Sequence, residues 1–274
     1  MTLQATDFTF VTQMIRQRSS IDLQPGKEYL VESRLAPIAR SLGEKDISGV
    51  VSRLRKGDPA LVDAVVDALT TNETSWFRDS HPFDAFTQHL LPDVAKSSTT
   101  RQITIWSAAS SSGQEAYSLS MLLLDWLPAH PGYKAKIIGT DISQKMVDRA
   151  RAARFSQLEV NRGLRAPYLV KYFDQVGRDW VLRQQVRDLC RFERGNLAKP
   201  QTGVPSCDIV FLRNVLIYFD LETKRSVLSH VRRILRPGGF LVLGGAESTL
   251  NLDEAFQRQE LGRAVVFRHI GGGS

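Results

Sequence analysis

The chain carries two hydrophobic periods, and the change from one to the other falls near residue 100. Over the first eighty residues apolar positions recur at helical spacing, beginning with Val31, Leu35, Ile38 and Leu42 after Lys27, with Gly43 as a stop. Asp46 is placed to cap a second helix that carries Ile47, Val50, Val51 and Leu54 on one face. Asp58-Pro59 offers a cap and a first-turn proline to a third, with Leu61, Val62, Val65 and Leu69 along it. This part reads as a small helical domain without strands.

Beyond residue 100, short apolar runs alternate with amphipathic ones. Strands are expected over 103–107, 136–141, 207–213, 240–243 and 264–269, and helices over 114–126, from Ser143 onward and over 221–235. Strands alternating with helices predict an α/β fold, a doubly wound parallel sheet covered on both faces. Ligands on such sheets bind beyond the carboxyl ends of the strands, where the strand order reverses. The stretch 154–196 breaks the alternation. Runs at 168–173, 180–183 and 189–193, with Val176-Gly-Arg-Asp179 as a turn, suggest an antiparallel β-subdomain inserted over 160–194. The expected organisation is a helical domain over 1–84, its segment 70–84 leading into an α/β domain over 85–274.

Composition changes this picture little. Hydrophobic residues at 42% and charged residues at 24% are ordinary for a soluble globular chain. The N-terminus lacks a basic and an apolar signal region, and no run of apolar residues is long enough to span a bilayer, so a cytoplasmic protein without membrane insertion is expected. Two cysteines, Cys190 and Cys207, are too few for a disulfide framework and read as buried free thiols. The net charge of +7 is unevenly placed. Residues 1–84 carry 10 Lys/Arg against 12 Asp/Glu, whereas 144–195 carry 12 against 6. The basic excess of that segment is either a solvated face or a docking surface for an acidic partner, which need not be nucleic acid.

The candidate chemistry sits at the strand ends. The turn Ser107-Ala-Ala-Ser-Ser-Ser-Gly113, with Glu115 opening the next helix, lets backbone amides approach a ligand closely. Pyrophosphate-binding turns want three glycines, and this one has a single glycine. A turn of Ala and Ser suits a ligand without phosphates, which disfavours a nicotinamide cofactor and fits S-adenosylmethionine. Asp141 ends the second strand, where an acid can hold both ribose hydroxyls; a helix cap is the competing reading. Arg213-Asn214 ends the long apolar strand and leads to Tyr218. The Asn/Asp-Pro-Pro-aromatic sequence of nucleic-acid amine methyltransferases is absent there, which argues against a nucleic-acid substrate.

Together these blocks resemble the CheR family, the chemotaxis-receptor glutamate O-methyltransferases. The matching pieces are Thr70-Thr-Asn-Glu-Thr-Ser-Trp-Phe-Arg-Asp79, Trp106–Ser118, Gly139-Thr-Asp141, Gly195-Asn-Leu197, Arg213-Asn-Val-Leu-Ile-Tyr-Phe219 and Arg236-Pro-Gly-Gly239. They run in family order over nearly the whole chain. Gln114 and Ala116 stand where many relatives carry Glu and Pro. The resemblance implies a class I methyltransferase domain of Rossmann-like fold over 85–274. It implies methyl transfer from S-adenosylmethionine to receptor glutamates, leaving S-adenosylhomocysteine, with no metal. It assigns cofactor contacts to Asn72, Thr74, Arg78, Glu115, Asp141, Asn196, Leu197, Arg213 and Asn214. The implied partners are the cytoplasmic helices of chemoreceptors, reached by recruitment to membrane arrays, with room for a regulatory protein; a monomer is expected. The six residues between Phe173 and Trp180 are short for gripping a receptor tail by strand addition.

A glutamate carboxylate, with a reference pKa near 4.3, is already an anion at neutral pH, so no general base is required. No catalytic His or Cys is therefore expected. Tyr218 is the first candidate for orienting the substrate carboxylate, with Arg78 or Arg213 assisting. Two rivals remain: methylation of a small molecule or RNA, and a non-catalytic receptor-binding adaptor.

Overall fold

The computed structural model describes residues 3–271. By contacts it divides into two compact units, Met1–Thr71 with Tyr218–Thr223, and Asn72–Ile217 with Lys224–Ser274. The break at Thr71 assigns most of the segment 70–84, expected to close the helical domain, to the larger unit. The cause is visible in its bonds: Trp76 N–H donates to the Arg162 carbonyl at 3.0 Å, and Phe77 N–H donates to Ser118 Oγ at 3.1 Å.

The smaller unit holds α1 (Ala5–Ser19), α2 (Glu28–Ser41), α3 (Ile47–Arg55) and α4 (Pro59–Leu69). The expected caps form. Asp46 accepts from Gly49 N–H at 3.4 Å, and Asp58 accepts from Ala60 and Leu61 N–H at 3.0 and 3.3 Å. In α2 the fully buried stripe is Val31, Leu35 and Ala39, spaced by four, whereas Ile38 and Leu42 lie at its margin. Tyr218 belongs to this unit: its carbonyl accepts from Asp22 N–H at 2.9 Å, and Asp220 pairs with Arg16 at 2.5 Å.

The larger unit continues with α5 (His81–Ala85), a π-helical turn (Phe86–Leu90) and α6 (Leu91–Ser97), then β1 (Gln102–Ala108), α7 (Gln114–Trp126), β2 (Lys134–Asp141) and α8 (Gln144–Ala152). An inserted region follows, with β3 (Arg154–Ser156), α9 (Gln157–Val160), α10 (Ala166–Tyr172), β4 (Phe173–Val176), β5 (Asp179–Leu182) and α11 (Gln184–Arg187). The remainder is β6 (Cys190–Arg194), β7 (Cys207–Leu212), α12 (Leu221–Ile234), whose first three residues fall in the smaller unit, β8 (Leu235–Leu243), β9 (Phe256–Leu261) and β10 (Ala264–His269).

The main sheet runs β6-β2-β1-β7-β8-β10-β9, parallel from β6 to β8, with β10 and β9 antiparallel at one edge. This is the doubly wound α/β architecture expected from the alternation. All six residues of β7 are buried, because helices cover both faces. The chain moves outward from β1 in one direction and later returns to place β7 on its other side. The order therefore reverses between β1 and β7, and the ligand crevice of such sheets lies beyond the carboxyl ends there.

The insertion differs from expectation in two ways. Residues 168–173 form most of a helix rather than a strand. Pro167 starts it, and Tyr168 and Tyr172, one turn apart, stack at 5.9 Å between centroids. The aromatic and branched run mimicked a strand because such residues favour strands, although its apolar positions Tyr168, Leu169 and Tyr172 recur at helical spacing. The run at 189–193 pairs in parallel with β2 and so belongs to the main sheet, not to a subdomain over 160–194. The separate three-stranded sheet is β3-β5-β4, begun by Arg154–Ser156, and Gly177 (φ 66°) lies in the tight turn between β4 and β5. Trp76 packs edge-on against Phe155 and Phe173, at 4.9 and 5.4 Å, and ties this sheet to the segment after Asn72.

Both cysteines are free thiols. Burial pushes Cys207 up to about 12 and Cys190 in the same direction, so neither ionises at neutral pH. Among the described residues no helix is long and apolar enough to cross a membrane.

Candidate active site

The turn after β1 is held in a strained backbone. Ala109 (φ 60°), Ser111 (φ 50°) and Gly113 (φ 95°) are left-handed, and a Cβ on Gly113 would stand 3.0 Å from the Tyr117 ring. The turn stays closed because Asp141, buried at the end of β2, accepts Ser111 N–H at 2.8 Å and Ser143 N–H at 2.9 Å. Asp141 is not the cap of α8. Ser143 takes that role, accepting Met146 N–H at 3.2 Å, so the competing reading of Asp141 falls away. Gly139, two residues before Asp141, has no room for a side chain: the Phe192 ring and Ser110 Oγ fill that space.

Glu115 and Arg213 form the second part of the frame. Arg213 leaves the end of β7 with only 2% of its side chain exposed. Its Nη1 donates to Glu115 Oε2 at 3.0 Å, and its Nη2 donates to Asp79 Oδ2 and the Arg78 carbonyl at 2.7 and 2.8 Å. Its guanidinium lies 5.6 Å over the Phe83 ring. Ser107 Oγ donates to the other Glu115 oxygen at 2.8 Å. One buried cation thus joins β1, α7, β7 and the segment after Asn72.

The positions expected to meet the cofactor are largely brought together. The Asn72 carbonyl accepts Ser111 Oγ–H at 2.7 Å, and Arg78 Nη1 donates to the Glu73 carbonyl at 3.1 Å. Thr74 is half-buried. The loop after β6 joins through Gly195, whose N–H donates to the Asp141 carbonyl at 2.9 Å. Asn196 Oδ1 there accepts Ala198 N–H at 3.0 Å, and the buried Leu197 offers its carbonyl to His230 Nδ1 at 3.3 Å. Asn214 is left-handed (φ 58°) and half-buried. Tyr218 lies in the other compact unit, at the end of the 3-10 turn Leu216–Tyr218.

Sequence reasoning missed Asp79, Ser118 and Glu247, the partners that fix these positions. Asp79 stood inside a matched block. Glu247, four residues past the end of β8 in Gly244-Gly-Ala-Glu247, showed itself only as an acid just past a strand end.

The donor set fits S-adenosylmethionine better than a dinucleotide. The turn 107–115 contains no Lys or Arg to meet phosphate, and the carboxylates of Glu115 and Asp141 suit an ammonium group and ribose hydroxyls. Among the described residues, no group of His, Cys, Asp and Glu is arranged to hold a metal ion. Fold and turn thus define a doubly wound α/β domain with a nucleotide-type ligand crevice.

The CheR methyltransferase SAM-binding domain matches residues 72–265, and the CheR all-alpha domain matches residues 6–70. Chemotaxis protein methyltransferase 1 of Pseudomonas aeruginosa is 38% identical over 266 residues, covering 96% of this chain and 97% of the relative. Chemotaxis protein methyltransferase 1 of Vibrio cholerae is 36% identical, covering 97% and 98%. The chemotaxis protein methyltransferase of Escherichia coli is 33% identical, covering 93% and 88%. The chain belongs to the CheR methyltransferase family and is an S-adenosylmethionine-dependent methyltransferase.

Proposed function

We propose that the protein methylates glutamate side chains on the cytoplasmic helices of chemotaxis receptors, giving glutamyl methyl esters for sensory adaptation. The observation that carries this reading is the frame of Glu115, Arg213 and Asp141 at the switch point, in a chain whose relatives are chemotaxis methyltransferases over nearly its full length.

When bound, S-adenosylmethionine supplies an electrophilic methyl group on sulfur. Glu115 is suited to the ammonium of its amino-acid end and Asp141 to its ribose hydroxyls. Asn72, Thr74 and Arg78 form one wall, and Asn196, Leu197 and Asn214 supply further contacts. Arg213 acts by holding Glu115 and the Arg78–Asp79 backbone in place, since both its terminal nitrogens are engaged by protein groups. The substrate carboxylate attacks as the anion, so the protein needs to orient it and exclude water. Tyr218 is suited to orienting it, by donating a hydrogen bond from its hydroxyl.

Charge supports an acidic partner. Lys145, Arg165, Arg178 and Arg187 make no ion pair among the described residues and are available to the acidic helices of a receptor. We place the protein in the cytoplasm as a monomer, recruited to receptor arrays.

The test is incubation of the full chain with methyl-labelled S-adenosylmethionine and a receptor cytoplasmic fragment. Label released by alkali as methanol supports an ester; label on the receptor that survives alkali contradicts it.

A further inference from the structure

We infer that Glu247 is a positioning residue, a latch that holds the backbone between Arg213 and Tyr218 in its working conformation. The inference rests on the proposed function for its catalytic consequence, but its geometry stands apart from it. After β7 the chain turns through Asn214 (φ 58°) into the 3-10 turn Leu216–Tyr218. The N–H groups of Asn214, Val215 and Leu216 open that turn and have no acceptor within it, the usual position of the first donors of a helical turn. They converge on one carboxylate. Glu247 Oε2 accepts from Asn214 N–H at 2.7 Å and Gly244 N–H at 2.7 Å. Oε1 accepts from Val215 and Leu216 N–H at 2.9 and 2.7 Å.

Four backbone donors thus surround a half-buried anion that makes no ion pair among the described residues. Hydrogen bonds to a charged acceptor are about twice as strong as neutral ones, so the latch is firm without a basic partner. It also joins the ends of two neighbouring strands, β7 through Asn214 and β8 through Gly244.

A second observation agrees. A Cβ on Gly244 would stand 2.7 Å from Asn214 Nδ2, 2.7 Å from Glu247 Oε2 and 2.9 Å from Asn214 N. Only glycine allows the end of β8 to approach the Asn214 loop this closely. Gly244 and Glu247 are therefore two parts of one device, whose product is the placement of Asn214 and of the chain leading to Tyr218.

Glu247→Gln tests it. The amide keeps the shape but turns one end of the acceptor into a donor, so two of the four N–H groups lose their partner. With the full-length protein and a receptor fragment, kcat should fall on the order of 10- to 100-fold, the scale of a misplacement of about 1 Å. KM for the fragment should move little, and amide exchange at Asn214, Val215 and Leu216 should rise while β1 and β2 keep their protection. Gly244→Ala should give the same pattern with the carboxylate intact, and it carries the test if the first variant fails to fold. Faster exchange with unchanged kcat, or lost kcat with unchanged exchange, overturns the inference. A wild-type protein that forms no ester sinks the proposed function instead, and exchange at the three amides still decides the latch.

Discussion

Arg213→Met removes the one buried cation of the site while keeping most of its volume. The structure sets the size of the effect. Glu115 has 12% of its side chain exposed and would be left as a nearly buried anion with, among the described residues, only the Ser107 hydroxyl as side-chain partner. Breaking a buried pair by removing one member costs about 3–5 kcal/mol. Asp79 is 52% exposed, so its share of the loss is small, about 0–1 kcal/mol. The bond to the Arg78 carbonyl adds about 1 kcal/mol in the same direction. The stranded Glu115 therefore outweighs the rest, and the three together give a loss of about 4–7 kcal/mol in urea unfolding of the full chain. At about 2–4 °C per kcal/mol, the melting temperature of the larger unit should fall by roughly 10–25 °C. Because the cost lies in an uncompensated charge, Glu115→Gln in the Arg213→Met background should return a good part of it. A loss below about 1 kcal/mol, or strict additivity of the two substitutions, would refute the picture of Arg213 as the tie between Glu115 and the Arg78–Asp79 segment.

Four further outcomes follow from the same geometry. Tyr218→Phe should lower turnover far more than S-adenosylmethionine affinity; equal loss of both, by kinetics and calorimetry, would deny it an orienting role. Asp141→Asn should weaken S-adenosylmethionine binding roughly 10-fold or more by calorimetry, since hydrogen bonds to a charged acceptor are worth about 1.5–3 kcal/mol; unchanged affinity would reduce Asp141 to a support for the turn. Gly113→Ala should lower the melting temperature and cofactor affinity together, because it places a side chain at φ 95° against Tyr117; wild-type values for both would show that the turn tolerates it. Burial opposes ionisation of Asp125, but hydrogen bonds from Lys171 and Tyr172 outweigh it and hold the carboxyl below its ordinary value. The stability it contributes is then present above the unfolded-state pKa, near 3.9, and lost as pH falls through the lower folded value. Asp125→Asn should therefore flatten the acid limb of an unfolding profile, and an unchanged limb would count against the cluster.

Most of the sheet and the helices α2 to α4 were legible in the sequence because each strand or helix keeps its own hydrophobic period, whereas α1 and β9 were not foreseen. Asp58-Pro59 and Val31/Leu35 did their expected work, and the apolar run at β7 could only be a strand buried on both faces. The insertion was less legible, for a physical reason. Over 168–173 the residues are aromatic and branched, which suits either a strand or a helix packed on one side, and Pro167 was the only local sign of the helix. For β6, the strand was evident but its partner was not, since parallel pairing to β2 is decided by the crossover and not by its own residues. The same limit applies at the site. Asp141, Glu115 and Arg213 announce themselves by standing at strand and helix ends. The partners that fix Arg213 and Asn214, Asp79 and Glu247 respectively, become visible only when the chain has folded 134 residues of separation into one ion pair and 33 into one hydrogen bond.

Whether receptor glutamates receive the methyl group is tested most directly by mass-spectrometric mapping of a receptor cytoplasmic fragment after reaction with the full-length protein and S-adenosylmethionine. Single methyl additions on glutamate side chains are expected, present with the wild-type protein, strongly reduced with Tyr218→Phe and removed by alkali. Methyl groups found on nitrogen, or on a nucleic acid or small molecule with the receptor fragment untouched, would contradict a glutamate methylesterifying role.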